Sequence, residues 1–253
     1  MRYFIFGDVH GCLNQLKQAL ENAGFDRENE NHTLISLGDN FDRGGLNRGV
    51  FNFLVNMPRI ICIKGNHELI LQEVLKRGYL TETDVYSGTL ATIASFAGMS
   101  KSDIRFMNDF AVQQVSMNKK LQDWLTTMPP FFETKRFIFT HGWVPREYYS
   151  GKKLAEIDAK AWEEAMWCNT KEEILNHRQQ VSANGADKYK TIVVGHWHTF
   201  RLKERFEGKP FNKRNYRCND FGPYVDEQNK VIALDSCTNI SKRVNILIED
   251  DEA

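Results

Sequence analysis

An α/β fold with a largely parallel sheet is the class that this 253-residue chain predicts, and three observations carry the prediction. Apolar runs of strand length alternate with helix-spaced segments through the first third of the chain. Five of the seven histidines stand in short polar blocks, and each block directly follows one of the strand-like runs. A β-α-β-α-β-α order favours parallel strands joined by right-handed crossovers. An open sheet of that kind gathers its strand ends, and with them the polar blocks, at one edge.

The elements follow in order. Tyr3 to Phe6 reads as the first strand and runs into Gly7-Asp8-Val9-His10-Gly11. Leu13, Leu16, Ala19 and Leu20 then recur at helical spacing up to Gly24. Leu34 to Leu37 is the second strand, followed by Gly38-Asp39-Asn40-Phe41-Asp42-Arg43-Gly44 and by a helix through Val50 to Val55 that must stop before Pro58. Ile60 to Lys64 is the third, leading into Gly65-Asn66-His67-Glu68 and a helix around Leu69 to Leu75.

Residues 79–130 read as a helical insertion or cap. Ala91, Ile93, Ala94 and Phe96 form one apolar segment, and Leu121, Trp124, Leu125 and Met128 another, stopped by Pro129-Pro130. Phe137 to Phe139 resumes the strands before Thr140-His141-Gly142. Residues 150–190 look helical and loop-like. Ile192 to Val194 precedes Gly195-His196-Trp197-His198-Thr199.

Residues 200–229 are the least regular stretch. They mix Lys203, Arg205, Lys209, Lys213, Arg214 and Arg217 with Phe206, Phe211, Tyr216, Phe221 and Tyr224. Val231 to Leu234 and Val244 to Ile248 are the last strands. With no linker, internal repeat or low-complexity tract, the chain reads as one domain, 1–253, with insertions at 79–130 and 200–229.

Composition narrows the class. Thirty-three basic residues balance 33 acidic ones, so net charge exerts no overall pull toward nucleic acid or anionic membrane. No apolar run is long enough to span a bilayer. The first strand and motif begin at once, which leaves no room for a signal peptide. Cys12, Cys62, Cys168, Cys218 and Cys237 are widely spaced and form no CxxC, suggesting neither a disulfide framework nor a thiolate zinc site. A reducing cytoplasm is the expected compartment.

Asp, Asn and His are the oxygen and nitrogen donors that bind hard-to-borderline divalent metals. Asp8 and His10, on one turn, can offer both side chains to one ion. Asp39, at the next strand end, is a carboxylate able to bridge two ions. Asn66 supplies an amide oxygen, and His141, His196 and His198 supply imidazole nitrogens. Together they suffice for two ions sharing Asp39. Ions about 3.5–4 Å apart lower the pKa of a water held between them and clamp both oxygens of an in-line phosphoryl displacement.

Arg43 follows Asp39 closely enough to share its loop, and its planar guanidinium suits a phosphate. His67 neighbours Asn66 and, when protonated, can donate to a leaving oxygen as general acid. Asp42 is placed to orient it and hold its charge. Mixed nitrogen and oxygen donors without thiolate fit manganese, iron, zinc, nickel or cobalt.

The blocks Gly-Asp-x-His-Gly, Gly-Asp-x-x-Asp-Arg-Gly and Gly-Asn-His-Glu resemble the signature of calcineurin-like metallophosphoesterases. The Asp-Arg-Gly ending is similar to that of the phosphoprotein-phosphatase branch, which includes serine/threonine phosphatases, bacteriophage lambda-type phosphatases and diadenosine tetraphosphate hydrolases. The resemblance runs from Arg2 to about Ile248 and is dense over the first 70 residues. It implies a four-layer α/β/β/α sandwich with the site at the strand C-termini. It further implies Asp8, His10 and Asp39 on one ion and Asp39, Asn66, His141 and His196 on the other, with Arg43 on the phosphate and His67 with Asp42 as acid. Manganese is the metal it favours. Leu234-Asp235-Ser236 resembles the family's last core strand, and Tyr86-Ser87-Gly88-Thr89-Leu90 resembles a segment common in bacterial and phage members.

The chain departs from that branch twice. Gly195-His196-Trp197-His198 keeps a second histidine, which the wider superfamily uses on the Asp8/His10 ion, so His198 is a seventh candidate ligand; the alternative is a residue behind the ligands or facing substrate. Trp167-Cys168-Asn169-Thr170 lacks the phosphate-binding arginine expected there, leaving Arg146, Arg178 or an arginine of 200–229 as substitutes. The expected function is a dinuclear metal-dependent phosphoesterase that hydrolyses phosphomonoesters, on protein or small molecule, by attack of a metal-bridging hydroxide. Dinucleoside polyphosphate hydrolysis is the alternative. A nuclease or single-strand-binding module is the rival, resting on the basic and aromatic stretch 200–229. A non-catalytic metal scaffold has no need of Arg43, Asp42 and His67.

Overall fold

The computed structural model of the chain describes residues 1–212, 215–216 and 219–250, and of Arg105 the backbone alone. Lys213, Arg214, Arg217 and Cys218 lie outside the described residues. The strands are β1 (Arg2–Phe6), β2 (His32–Ser36), β3 (Ile60–Cys62), β4 (Phe131–Glu133), β5 (Phe137–Thr140), β6 (Thr191–Val194), β7 (Tyr224–Asp226), β8 (Val231–Ala233) and β9 (Ile246–Asp250). The α-helices in the first half are α1 (Leu13–Asn22), α2 (Asn47–Val55), α3 (Asn66–Arg77), α4 (Glu82–Ser87), α5 (Thr89–Ala97), α6 (Lys101–Phe106), α7 (Asn108–Ser116) and α8 (Lys119–Thr127). Those in the second half are α9 (Ala159–Met166), α10 (Lys171–Asn184), α11 (Thr199–Glu207) and α12 (Thr238–Ser241).

Two sheets form, in the orders β3-β2-β1-β9 and β4-β5-β6-β8-β7. Within the first, β1, β2 and β3 are parallel and β9 runs antiparallel to β1. Within the second, β5, β6 and β8 are parallel, flanked by antiparallel β4 and β7. Successive side chains of a strand point to opposite faces, and here both faces are buried. Tyr3 and Ile5 meet Phe139, Val193 and Ile232 in a core between the sheets. Phe4 and Phe6 instead enter a cluster with Leu16, Leu54 and Leu71 of the first helical layer. On the far side Ile138, Ile192 and Val194 pack with Trp162, Ile174 and Leu202. The result is the expected α/β/β/α stack, and the near-continuous apolar runs follow from burial on two faces.

Helices of the 79–130 insertion share the first cluster, through Leu90, Ile93, Ile104, Val112 and Leu121. They therefore thicken the first helical layer and bring α5 against the Asp39–Gly44 loop. The sequence reading passes over β4 and β7. Each is a three-residue antiparallel edge strand beside a proline, too short to show a period and defined only by its partner. Among the described residues no helix is long and apolar enough to cross a membrane.

Candidate active site

All the polar blocks converge where the parallel strands end, and hydrogen bonds join one loop to the next. The N–H groups of Val9 and His10 donate to the Asp39 carbonyl. The Glu68 carboxylate accepts from the N–H groups of Asp39, Asn40 and Gly65, which locks the second loop to the third. His196 N–H donates to Asp8 Oδ1 at 2.9 Å, and the Trp197 indole donates to the Gly142 carbonyl at 2.7 Å. Two glycines make the approach close enough. A Cβ on Gly38, at φ +96°, would stand 2.6 Å from Gly65 N, and one on Gly195 would stand 2.6 Å from Asp8 Oδ1.

The backbone itself is unusual here. Eight described non-glycine residues have φ in the left-handed region, and six of them are His10, Asp39, Asp42, Arg43, His196 and Cys237. Such conformations cost about 1–3 kcal/mol each and persist where the surroundings over-determine them. Their concentration at one sheet edge marks a site held against local preference.

Asp39 sits at the centre. Its Oδ2 lies 3.7 Å from His10 Nε2 and 3.7 Å from His67 Nε2, whereas its Oδ1 lies 3.3 Å from His141 Nε2. Asp8 Oδ2 is 4.0 Å from His10 Nε2. The imidazoles are oriented from behind. His10 Nδ1–H donates to the Phe41 carbonyl at 2.7 Å and His141 Nδ1–H to the Leu37 carbonyl at 2.8 Å, so each turns an Nε2 lone pair into the site. His141 Nε2 then faces Asn66 Oδ1 at 2.8 Å. Two acceptors cannot hydrogen-bond each other, and a cation ligated by both would relieve the contact.

Electrostatics point the same way. Burial holds the His10 and His141 pKa values down and takes His196 to about 3. Burial, then Asp235 and Asp39, push the Asp8 carboxyl well up. Burial and Asp39 lift Glu68 to about 7, against the pull of three N–H donors. Burial also opposes charge on Asp39, but the surrounding imidazoles of His141, His67, His10 and His196 outweigh it and hold its pKa low. Asp39 thus raises the two buried carboxyls beside it, a repulsion that positive charge would relieve.

His67 lies beside this centre. Its Nδ1–H donates to Asp42 Oδ2 at 2.7 Å, and Arg43 Nη2 donates to its Nε2 at 3.2 Å. Burial works against an imidazolium here, but Asp39 and Asp42 prevail and the His67 pKa is raised. Asp42 is fully buried. Thr89 Oγ1 donates to its Oδ2 at 2.8 Å and Thr92 Oγ1 to its Oδ1, while Asp42 N–H donates back to Thr92.

His198 stands apart from the other sequence candidates. Its Nε2 lies 3.4 Å from Asp235 Oδ2, and its donor atoms group with Asp235 and Cys237. Two further groups share Asp39: His10, Asp39 and His67, and Asp39, His141 and His196, with Asp8 in neither. Of the substitute arginines, Arg178 is held by Asp226 and stacks on Phe206, and Arg146 lines a cleft with Glu164, Cys168 and Glu173.

Residues that sequence reasoning missed are Glu68 as a loop anchor, Thr89 and Thr92 behind Asp42, Asn169, whose amide meets His196 Nε2 at 3.1 Å, and Asp235 as a neighbour of Asp8. Glu68, Thr89, Asn169 and Asp235 stand in segments compared with family motifs, though without these roles, whereas Thr92 carried no signal. The rings of 200–229 largely face one another. Phe200 and Phe221 are buried, and Phe211 and Tyr216 pack onto them. Lys203 and Lys209 pair with Asp220. This described part offers no open stacking platform for bases, which weighs against the nuclease reading.

Comparison with known proteins agrees with the geometry. A family model described as calcineurin-like phosphoesterase matches residues 1–231. Shewanella-like protein phosphatase 1 of Plasmodium berghei is 25% identical over 236 residues, covering 75% of this chain and 59% of that protein. The symmetrical bis(5'-nucleosyl)-tetraphosphatase of Hamiltonella defensa is 27% identical over 171 residues, covering 66% of this chain and 52% of that protein. The chain thus spans about half to three fifths of the length of these relatives. In fold it is similar to a cold-active protein-tyrosine phosphatase of a psychrophilic Shewanella, with a TM-score of 0.56 at 17% identity over 98% of this chain and 74% of that one. A protein serine/threonine phosphatase of Saccharomyces cerevisiae gives 0.56 at 14% identity, over 100% of this chain and 80% of that one.

Proposed function

Because the chain belongs to the calcineurin-like phosphoesterase family, we propose that it is a dinuclear metal-dependent phosphoesterase acting on phosphomonoesters. The observation that carries the proposal is Asp39, whose two oxygens face two different donor sets. Asp8, His10 and Asp39 would hold one ion, and Asp39, Asn66, His141 and His196 the other. His198 belongs with the Asp8 set, reached through Asp235. The metal is manganese and the compartment the cytoplasm. Bound ions supply an activated water and neutralise charge on the phosphoryl oxygens.

The chain's own groups do the rest. Arg43 binds the phosphate through its guanidinium fork. In the free protein that guanidinium donates to His67 Nε2; substrate must draw it away, which frees Nε2 to carry a proton. His67 then delivers the proton to the leaving oxygen, while Asp42 accepts from Nδ1 and keeps the ring aimed.

The test is to strip the protein, reload it with manganese, and count ions by mass spectrometry. Turnover follows on p-nitrophenyl phosphate, a phosphoserine peptide and diadenosine tetraphosphate. Two ions per chain with turnover of a phosphomonoester are expected. Turnover of the tetraphosphate alone would replace the reading with dinucleoside polyphosphate hydrolysis, and no metal-dependent turnover would end it.

Thr92 tests the support behind the acid. Thr92→Val keeps the shape but removes the donor to Asp42 Oδ1. A fall of about 10-fold in kcat on an alkyl phosphate is expected, the lower end of what a residue supporting a site commonly costs, with both ions retained. Unchanged kinetics would mean that Thr89 suffices.

A further inference from the structure

Among the described cations of the 200–229 segment, Arg201 is the one stacked on aromatic rings. Lys203 and Lys209 are tied to Asp220. Arg201, in the first turn of α11, has no carboxylate within ion-pair distance among the described residues, and it is exposed. Its guanidinium carbon lies 5.3 Å from the Phe200 ring and 5.3 Å from the Phe211 ring, and Tyr216 is its hydrogen-bond partner. An arginine stacked on aromatic faces is oriented without being neutralised.

That orientation matters because of where Phe200 sits. The His198 ring stacks on it, centroids 5.8 Å apart at 19°, so Arg201 is one ring away from the His198, Asp235 and Cys237 group. The margin of the site thus carries two guanidiniums with different surroundings. Arg43 touches the acid His67 and belongs with the transferred phosphoryl group. Arg201 meets Tyr216 but no carboxylate among the described residues, so its charge is unneutralised.

We propose that Arg201 is a specificity-determining residue that binds a second, untransferred phosphoryl group of the substrate. The proposal rests on the phosphoesterase reading above. A single phosphoryl group at Arg43 leaves the Arg201 fork in water; a substrate with a second one engages both. The second group is either joined directly, as in a phosphoanhydride, or carried farther along the leaving group as another ester.

The test uses the manganese-loaded full chain and non-hydrolysable probes, so its readout is binding. Affinities are measured by calorimetry for methylphosphonate, methylenediphosphonate and propane-1,3-diphosphonate, in the wild type, Arg201→Gln and Arg201→Lys. In the wild type a diphosphonate should bind more tightly than methylphosphonate. In Arg201→Gln that advantage should fall about tenfold or more, the scale of a hydrogen bond to a charged group, with Arg201→Lys between. Loss confined to methylenediphosphonate identifies an adjoining phosphoryl group, and loss confined to the propane compound a more distant one. An advantage unchanged in both variants, or equal weakening of all three probes, overturns the assignment while leaving the phosphoesterase reading intact. Failure of the wild type to bind methylphosphonate would remove that reading and this inference with it. If Arg201→Gln does not fold, Arg201→Lys decides, because lysine keeps the charge and loses the fork.

Discussion

Asp39→Asn is expected to abolish turnover and to cost the protein at least one of the two ions proposed for it. The change is nearly isosteric, and an amide oxygen at Oδ1 can still accept the His67 N–H that lies 3.0 Å away. It cannot present two anionic oxygens to two donor sets, which is what the 3.7 Å and 3.3 Å approaches to His10 and His141 require. The loss should exceed the roughly 10–100-fold typical of losing a residue that supports a ligand, and should exceed that of a terminal change such as Asn66→Ala. Mass-spectrometric ion counts and kcat on p-nitrophenyl phosphate are the measurements. Full activity with two ions bound would show that Asp39 does not bridge them.

His67→Asn should keep both ions and the fold yet lose about 10²–10⁴-fold in kcat on alkyl phosphates, the usual span for general acid–base catalysis. Loss should shrink on p-nitrophenyl phosphate, whose leaving group hardly needs a proton. The structural reason is the division of labour on α3: Asn66 Oδ1 faces His141 Nε2 in the centre, whereas His67 is turned to Asp42 and Arg43. Asp42→Asn should show the same leaving-group dependence in milder form, because Asp42 aims the ring without giving up the proton. Equal losses on good and poor leaving groups, with both ions present, would instead make His67 a partner of Arg43 in holding phosphoryl charge.

The fold was legible where burial imposes a period. Tyr3 to Phe6, Leu34 to Leu37 and Ile192 to Val194 are apolar throughout because both faces of each sheet are covered, and the central strands lie within a residue or two of their expected bounds. β3 ends at Cys62 rather than Lys64, since the Lys64 N–H turns to the Pro129 carbonyl. β4 and β7 escaped because three residues carry no period of their own.

The donor types and their order along the chain were also determined by sequence alone: Asp8, His10, Asp39, Asn66, His141 and His196 each follow a strand, and parallel strands deliver their ends to one edge. What only the tertiary structure decided is how those donors are held and which way they face. Thr92 reaches Asp42 across 50 residues and His141 reaches the Leu37 carbonyl across 104. The left-handed backbone at Asp39, Asp42 and Arg43, and the turn of His198 toward Asp235, likewise leave no trace in residue spacing. Periodicity reports a residue's own burial. Orientation depends on a partner supplied through space by another element, and a linear pattern does not contain that partner's position.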